Sequence, residues 1–198
     1  MNKSVAILLA LALAGCAQEA VQMAGAGDSL QRAWKDQPTG YLVGSIGRIK
    51  VDFHSAQEMA ICQRDFGRIA TLKYRVLFDG VETRQIDEAD YVGESFSLAL
   101  PAGDYTICGS GWGPGGSLAI SLKVEAGKLN YIGRYVRVMG SRPGYLGLLE
   151  ETGGYWRVKD QPAADLPYIV QRDPKLAGLP VVSALPRKED LPSPQFTR

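Results

Sequence analysis

The sequence predicts a mainly β fold, an antiparallel β-sandwich, on three observations. Apolar residues alternate with polar ones in several short runs, as in Leu72, Tyr74, Val76 and Phe78 or Ile120, Leu122 and Val124. Turn signals separate these runs every eight to twelve residues or so, the spacing of sandwiches and barrels. Gly at 23 and Pro at 11 favour turns over long helices. Two helices interrupt the pattern, near residues 56–66 and 163–171.

The chain of 198 residues is 45% hydrophobic and 22% charged, the composition of one globular domain. Lys plus Arg is 22 against 21 Asp plus Glu. So balanced a field gives no long-range attraction for nucleic acid.

Residues 17–39 are small, polar and weakly patterned and read as a tether, with Trp34 as the exception. From Gly40, Tyr41 to Ile46 and Arg48 to Phe53 read as two strands or one bent strand, with Gly44 and Gly47 at a bulge or turn. Ser55, Ala56, Gln57 and Glu58 have the form of a capping box. Met59, Cys62 and Phe66 follow on one helical face, and Gly67 stands where a helix would end. A strand over 71–78 stops at Asp79-Gly80, and Asp87 to Asp90 with Glu94 reads as a solvated acidic loop rather than a calcium site. Phe96, Leu98 and Leu100 form a strand. Pro101 to Asp104 turns the chain into a partner strand over 105–108.

In CGSGWGPGGS (108–117), Gly111, Gly113 and Gly116 have the G-x-G-x-x-G spacing. A dinucleotide site needs a helix after those glycines, because the pyrophosphate rests on helix N-terminal amides. The run 118–124 instead alternates with a period of two, so the motif is a hairpin loop and no cofactor is expected. Glu125 to Lys128 makes the next turn, into a strand over 129–138. Further turns fall at 140–144 and 152–154, with strands over 145–150 and 155–159. A domain over 40–185 closes with the helix at 163–171, and 186–198 reads as a loose tail.

The N-terminus carries one cation, Lys3, ahead of an apolar run from Val5 to Ala14, a signal-peptide pattern too short to span a bilayer. The run ends in Leu13-Ala14-Gly15-Cys16, which resembles the lipobox of bacterial lipoproteins. That resemblance implies removal of residues 1–15, diacylglyceryl attachment to the Cys16 sulfur and acylation of the new N-terminus. Two or more acyl chains hold a protein stably where one does not. Ala17 after the cysteine implies sorting to the outer membrane, the domain facing the periplasm on a lipidated tether over 16–39. As a flexible coil, that tether would let the domain stand roughly 25 Å from the membrane. With Cys16 used in this way, Cys62 and Cys108 remain as an even pair in an oxidising compartment, and a disulfide is the natural reading against two buried thiols.

FSLALPAGDYTI (96–107) and VEAGKLNYIG (124–133) resemble the β-sandwich of uncharacterised bacterial lipoproteins and, more distantly, of carboxypeptidase-regulatory-like domains. The resemblance covers about residues 40–138. It implies a fold and a structural or adhesive role, without assigned chemistry.

Catalysis finds little support, and no catalytic residue is assigned. There is no G-x-S-x-G elbow, and the single histidine, His54, reads as structural or exposed. Glu150 and Glu151 are adjacent in a strand and point to opposite faces. Two cysteines and one histidine are too few for an ordinary zinc site, so no metal is expected.

Two aromatic sets are candidates for ligand binding. Trp112, Arg142 and Tyr145 would meet if the loops at 109–116 and 139–144 share one end of the sandwich. Tyr131, Tyr135 and Arg137 would flank a shallow groove at Gly133. Core packing is the competing reading for both sets. The sequence thus predicts an outer-membrane-anchored, non-enzymatic envelope module that acts through a protein partner. The alternative is a domain that binds cell-wall glycan or a small ligand through the loops at 109–116 and 139–144.

Overall fold

The computed structural model describes residues 21–23, 34–49, 57–64, 67–74, 85–108, 119–143 and 149–187. Among these residues the chain is mainly β, with two sheets and one α-helix. The first sheet takes β1 (Val21–Met23), β4 (Gly67–Tyr74), β3 (Gln57–Gln63), β7 (Gly103–Cys108) and β8 (Ala119–Val124), in that order. The second takes β10 (Leu149–Lys159), β9 (Leu129–Pro143), β2 (Thr39–Ile49), β6 (Tyr91–Pro101) and β5 (Ile86–Asp87). A short strand, β11 (Val181–Ser183), pairs with the start of β9. The β2–β9 and β11–β9 pairs are parallel and the others antiparallel.

One apolar core joins the sheets. Leu42 and Ile46 of β2, Phe96 and Leu98 of β6, and Ile132 and Tyr135 of β9 belong to the same buried cluster as Met59, Ile61, Leu72, Ile107, Ile120 and Leu122 of the other sheet. Fully burying one such aliphatic side chain stabilises by about 1.5–3 kcal/mol. The expected ribbon after the glycine-rich loop is β8. Ile120, Leu122 and Val124 are buried while Ser121 and Lys123 are exposed. The loop itself, 109–118, lies outside the described residues.

The turns at 101–104 and 125–128, expected to join neighbouring strands as hairpins, are instead crossings between the sheets. The chain passes from β6 to β7 at Pro101 to Gly103, and from β8 to β9 at Glu125 to Lys128. The buried Tyr105 hydroxyl donates to the Pro101 carbonyl at 2.9 Å, and burial pushes its pKa up to about 12. Asn130, fully buried, accepts from Glu125 N at 2.9 Å and donates to the Glu125 and Lys128 carbonyls at 3.1 and 3.2 Å. Ala102 N donates to Pro38 O and Gly127 N to Thr39 O, each at 2.8 Å, so both crossings and the start of β2 lie at one end. The ends of β7 and β9 and the starts of β8 and β10 therefore lie at the other.

The helix expected over 56–66 is not formed. Residues 57–63 are β3, between β4 and β7, with Ile61 opposite both Ala70 and Ile107. Seven residues carry too few turns for period to decide between helix and strand. Pairing with β4 along the strand and with β7 at Ile61 and Cys62 buries Met59 and Ile61 together in the core. Gly67 accordingly sits at the β3–β4 connection, with φ +66°. The predicted cysteine pair is bonded. Cys62 and Cys108 join with Cα atoms 5.8 Å apart across a sequence separation of 46. In the chain-entropy picture, closing so long a loop stabilises by about 4 kcal/mol.

Other boundaries move. β9 continues over 140–143, where a turn is expected, and the turn expected at 152–154 is a bulge within β10. Strand pairing over so long a hairpin outweighs the local turn signals of Gly153 and Gly154. Within the stretch read as a flexible tether, Val21–Met23 pairs with Leu72, Thr71 and Ala70 of β4, and Trp34 packs on the core. Residues 1–20 and the tail from 188 lie outside the described residues.

The expected C-terminal helix forms as α1 (Pro162–Arg172) and lies on the outer face of β2, β6 and β9. Ile169 of α1 and Leu176 of the following 3₁₀ turn pack with Val43, Leu129 and Tyr131 in a second buried cluster.

A single extra residue decides which side chains meet α1. Val43 stands opposite Tyr131 and Ser45 opposite Arg134, so Gly44 alone faces Ile132 and Gly133, and β9 bulges there. Strict alternation would send Arg134 into the core between the sheets. With the bulge, Ile132 and Tyr135 enter that core while Tyr131 and Arg134 both face α1. Gly133 has φ +106°, and a Cβ there would lie 2.6 Å from Val158 Cγ1 and 3.0 Å from Leu185 Cδ2. Gly133→Ala is therefore expected to destabilise the fold by about 2 kcal/mol or more. Urea unfolding measures this, and an unchanged midpoint would contradict the assigned role of the bulge.

Candidate functional site

The densest polar constellation among the described residues lies between α1 and the second sheet. Asp165 stands in the first turn of α1, where a carboxylate is favoured by the helix dipole, yet it faces inward and is fully buried. Four donors meet it. Arg134 Nε and Nη2 donate to Oδ1 at 2.9 and 2.6 Å, and Tyr131 Oη and Ser45 Oγ donate to Oδ2 at 2.7 and 3.0 Å. Gln161 N in turn donates to the Tyr131 hydroxyl at 3.2 Å.

Arg134, 1% exposed, is engaged on every side. Its Nη1 and Nη2 donate to Glu88 Oε2 and Oε1 at 2.5 and 2.9 Å, and its guanidinium lies 4.3 Å from the centroid of the Tyr91 ring. Burial works against the cation, but the hydrogen bonds it donates to Glu88 and Asp165 outweigh it and hold the group protonated. The same bond from Arg134 holds the Glu88 carboxyl below its ordinary value. Burial, then the Asp165 hydrogen bond, pushes the Tyr131 phenol well above its ordinary range.

A second polar set fastens the far end of α1 to β6. Gln85 accepts from Ser95 N and Oγ at 3.2 and 2.8 Å and donates to Tyr168 O at 2.9 Å. Arg172 donates to Ser95 O at 3.0 Å and lies 3.8 Å from the buried Glu94. Glu94 is thus a buried strand residue and Glu88 an ion-pair partner, a correction to the solvated loop expected over 87–94. These side chains occupy backbone groups at the edge of β6 that would otherwise offer pairing to another strand.

Chemically the arrangement clasps. The Asp165 carboxylate has donors on both oxygens and Glu88 has both oxygens on Arg134, an arrangement that fixes geometry rather than moves protons. Among the described residues no group of three His, Cys, Asp or Glu side chains is placed to hold a metal ion.

The predicted ligand-binding residues fall elsewhere. Trp112 and Tyr145 lie outside the described residues. Arg142 is in β9 opposite Glu150 instead of in a loop, and Arg137 stands opposite both Arg48 and Trp156. Tyr131 and Tyr135 are 1% and 0% exposed and belong to different clusters, on opposite faces of β9. The bulge at Gly133 separates the two rings, so the groove expected between them does not form. Tyr135 packs edge-on against Trp156, with ring centroids 6.3 Å apart.

Sequence reasoning passed over Arg134, Asp165 and Ser45 and read Glu88 as solvated. Two signals pointed to them: a lone cation inside the apolar run from Tyr131 to Val136, and an acid on the same helical face as Ile169. Comparison of the chain with protein-family models, with curated proteins and with solved structures gave no match.

Removing the acid leaves Arg134 buried with only Glu88 to balance it. Asp165→Ala is expected to destabilise by about 3–5 kcal/mol, the range for breaking a buried pair. A loss below about 1 kcal/mol in urea unfolding would contradict the clasp. Acid titration reads Glu88 separately. A lowered folded pKa adds stability that is present above the unfolded value and is lost as pH falls through the folded one. Glu88→Gln is expected to flatten that acid limb in stability measured from pH 7 to pH 3, and an identical limb in both proteins would contradict the pairing.

Proposed function

We propose that this chain is an outer-membrane lipoprotein, anchored through Cys16 and facing the periplasm, whose β-sandwich domain serves as a non-enzymatic interaction module of the envelope. The observation that carries the reading is the use of the three cysteines. Cys62 and Cys108 are bonded to each other, which fits an oxidising compartment. That leaves Cys16, placed directly behind the apolar run and the small residues Ala14 and Gly15.

The sandwich reading is supported by one apolar core fed from both sheets and by two chain crossings between them. The non-enzymatic reading is supported by the clasp, whose ionised groups are engaged with one another. Glycan or small-ligand binding is a second reading, favoured by one observation. Strand directions bring the ends of β7 and β9 and the starts of β8 and β10 to the same end, and in sequence Trp112 follows β7 and Tyr145 follows β9.

Expressed in a diderm bacterium, the protein is expected to yield an acylated N-terminal peptide beginning at Cys16 and to sediment with the outer membrane. Cys16→Ser is expected to release it into the soluble fraction. Mass spectrometry of the N-terminal peptide decides the matter, and an unmodified Cys16 in the envelope fraction would overturn the anchor.

A further inference from the structure

We propose that the Cys62–Cys108 disulfide is a site of thiol–disulfide exchange on the folded domain, and that a dithiol which opens it releases the seam between two parts of the first sheet. The inference concerns the domain alone and stands apart from the anchor.

The seam is where pairing thins. β3 is paired with β4 from Gln57 to Gln63, and β7 with β8 from Gly103 to Cys108. Among the described residues, β3 meets β7 in register only at Ile61 with Ile107 and at Cys62 with Thr106. The first sheet therefore has β1, β4 and β3 on one side and β7 and β8 on the other, joined by a short ladder. The disulfide crosses that ladder diagonally, from Cys62 past its partner Thr106 to Cys108.

The bond faces outward. Ile61 and Ile107 are fully buried in the core between the sheets, so alternation along both strands turns Cys62, Thr106 and Cys108 to the outer face. All three are half-buried. Helix α1 lies on the other sheet, and among the described residues no helix covers this face. An exposed disulfide is the kind that exchanges, whereas one sealed in a core waits for unfolding.

Charge gives the exchange a direction. Arg68 of β4 stands opposite Cys62 and is exposed on the same outer face. A guanidinium beside a cysteine favours its thiolate, and the better-stabilised thiolate is the better leaving group. One thiolate of the dithiol thus attacks Cys108 Sγ, the Cys62–Cys108 bond breaks, and Cys62 departs as a thiolate. The second thiol, deprotonated, then attacks the mixed disulfide, frees Cys108 and closes the reductant as a disulfide. Two electrons pass from the reductant to the cystine, and its two thiol protons finish on Cys62 and Cys108. What then holds the seam is the short ladder and the core packing of Met59 and Ile61, so β3 opens there before the second sheet does.

The full-length Cys16→Ser protein carries Cys62 and Cys108 alone, so its behaviour is independent of the anchor. Dithiothreitol is expected to reduce it in native buffer without urea, with both cysteines then taking up maleimide by mass. Glutathione, a monothiol, is expected to leave its adduct mainly on Cys108 in peptide mapping. Arg68→Gln is expected to slow native reduction several-fold and to leave the rate in unfolding urea unchanged. In the reduced protein, amides over 57–63 and 103–108 are expected to exchange at least about tenfold faster than those of β9 around Ile132, against similar rates in the bonded protein. Reduction that needs unfolding urea overturns the exchange site. An adduct mainly on Cys62, or an unchanged rate in Arg68→Gln, overturns the assigned direction. Uniform acceleration through both sheets, or none at the seam, overturns the release.

Discussion

A buried carboxylate that cannot be left alone sets the terms for the outer face of this protein. Asp165 is fully removed from solvent, and so is nearly all of Arg134. Either charge by itself in that position would cost several kcal/mol, so each requires the other in one geometry. The pair therefore determines where α1 lies. An apolar interface of the same size would tolerate sliding by a turn; a carboxylate with four donors does not. Compared with an all-apolar contact, the net contribution of such a pair to stability is small. Its main effect is to single out one docking position.

The geometry that permits the pair is made in the sheet. Gly133 and the bulge around it bring Arg134 to the same face as Tyr131 and Ser45, while Ile132 and Tyr135 stay in the core between the sheets. One inserted residue thus links two requirements, continuous apolar packing on one side and a polar receptor for α1 on the other. The second set, Gln85, Ser95 and Arg172, pins the far end of the helix and occupies the edge of β6.

What the sequence revealed follows the same physics. Alternation located the second half of β6 and β8, and the helical period located α1, because over 96–100, 120–124 and 163–171 burial is mainly on one face. Cysteine arithmetic found the disulfide. The segment from 57 to 63 misled because a strand paired on both edges and a short capped helix ask for similar residues over so few positions. Gly153 and Gly154 read as a turn because local propensity carries no information about a long partner strand. Arg134 and Asp165 stayed hidden because their burial depends on contact between segments 31 residues apart, mediated by a bulge that reverses the face.

The central claim is that the clasp makes α1 an integral part of the folded domain. Native-state amide hydrogen exchange tests it directly in the unmodified protein. Hydrogen-bonded α1 amides near Ile169 are expected to exchange as slowly as those of β9 around Ile132, opening only when the whole domain unfolds. Rapid exchange throughout α1 while β9 remains protected would contradict the account.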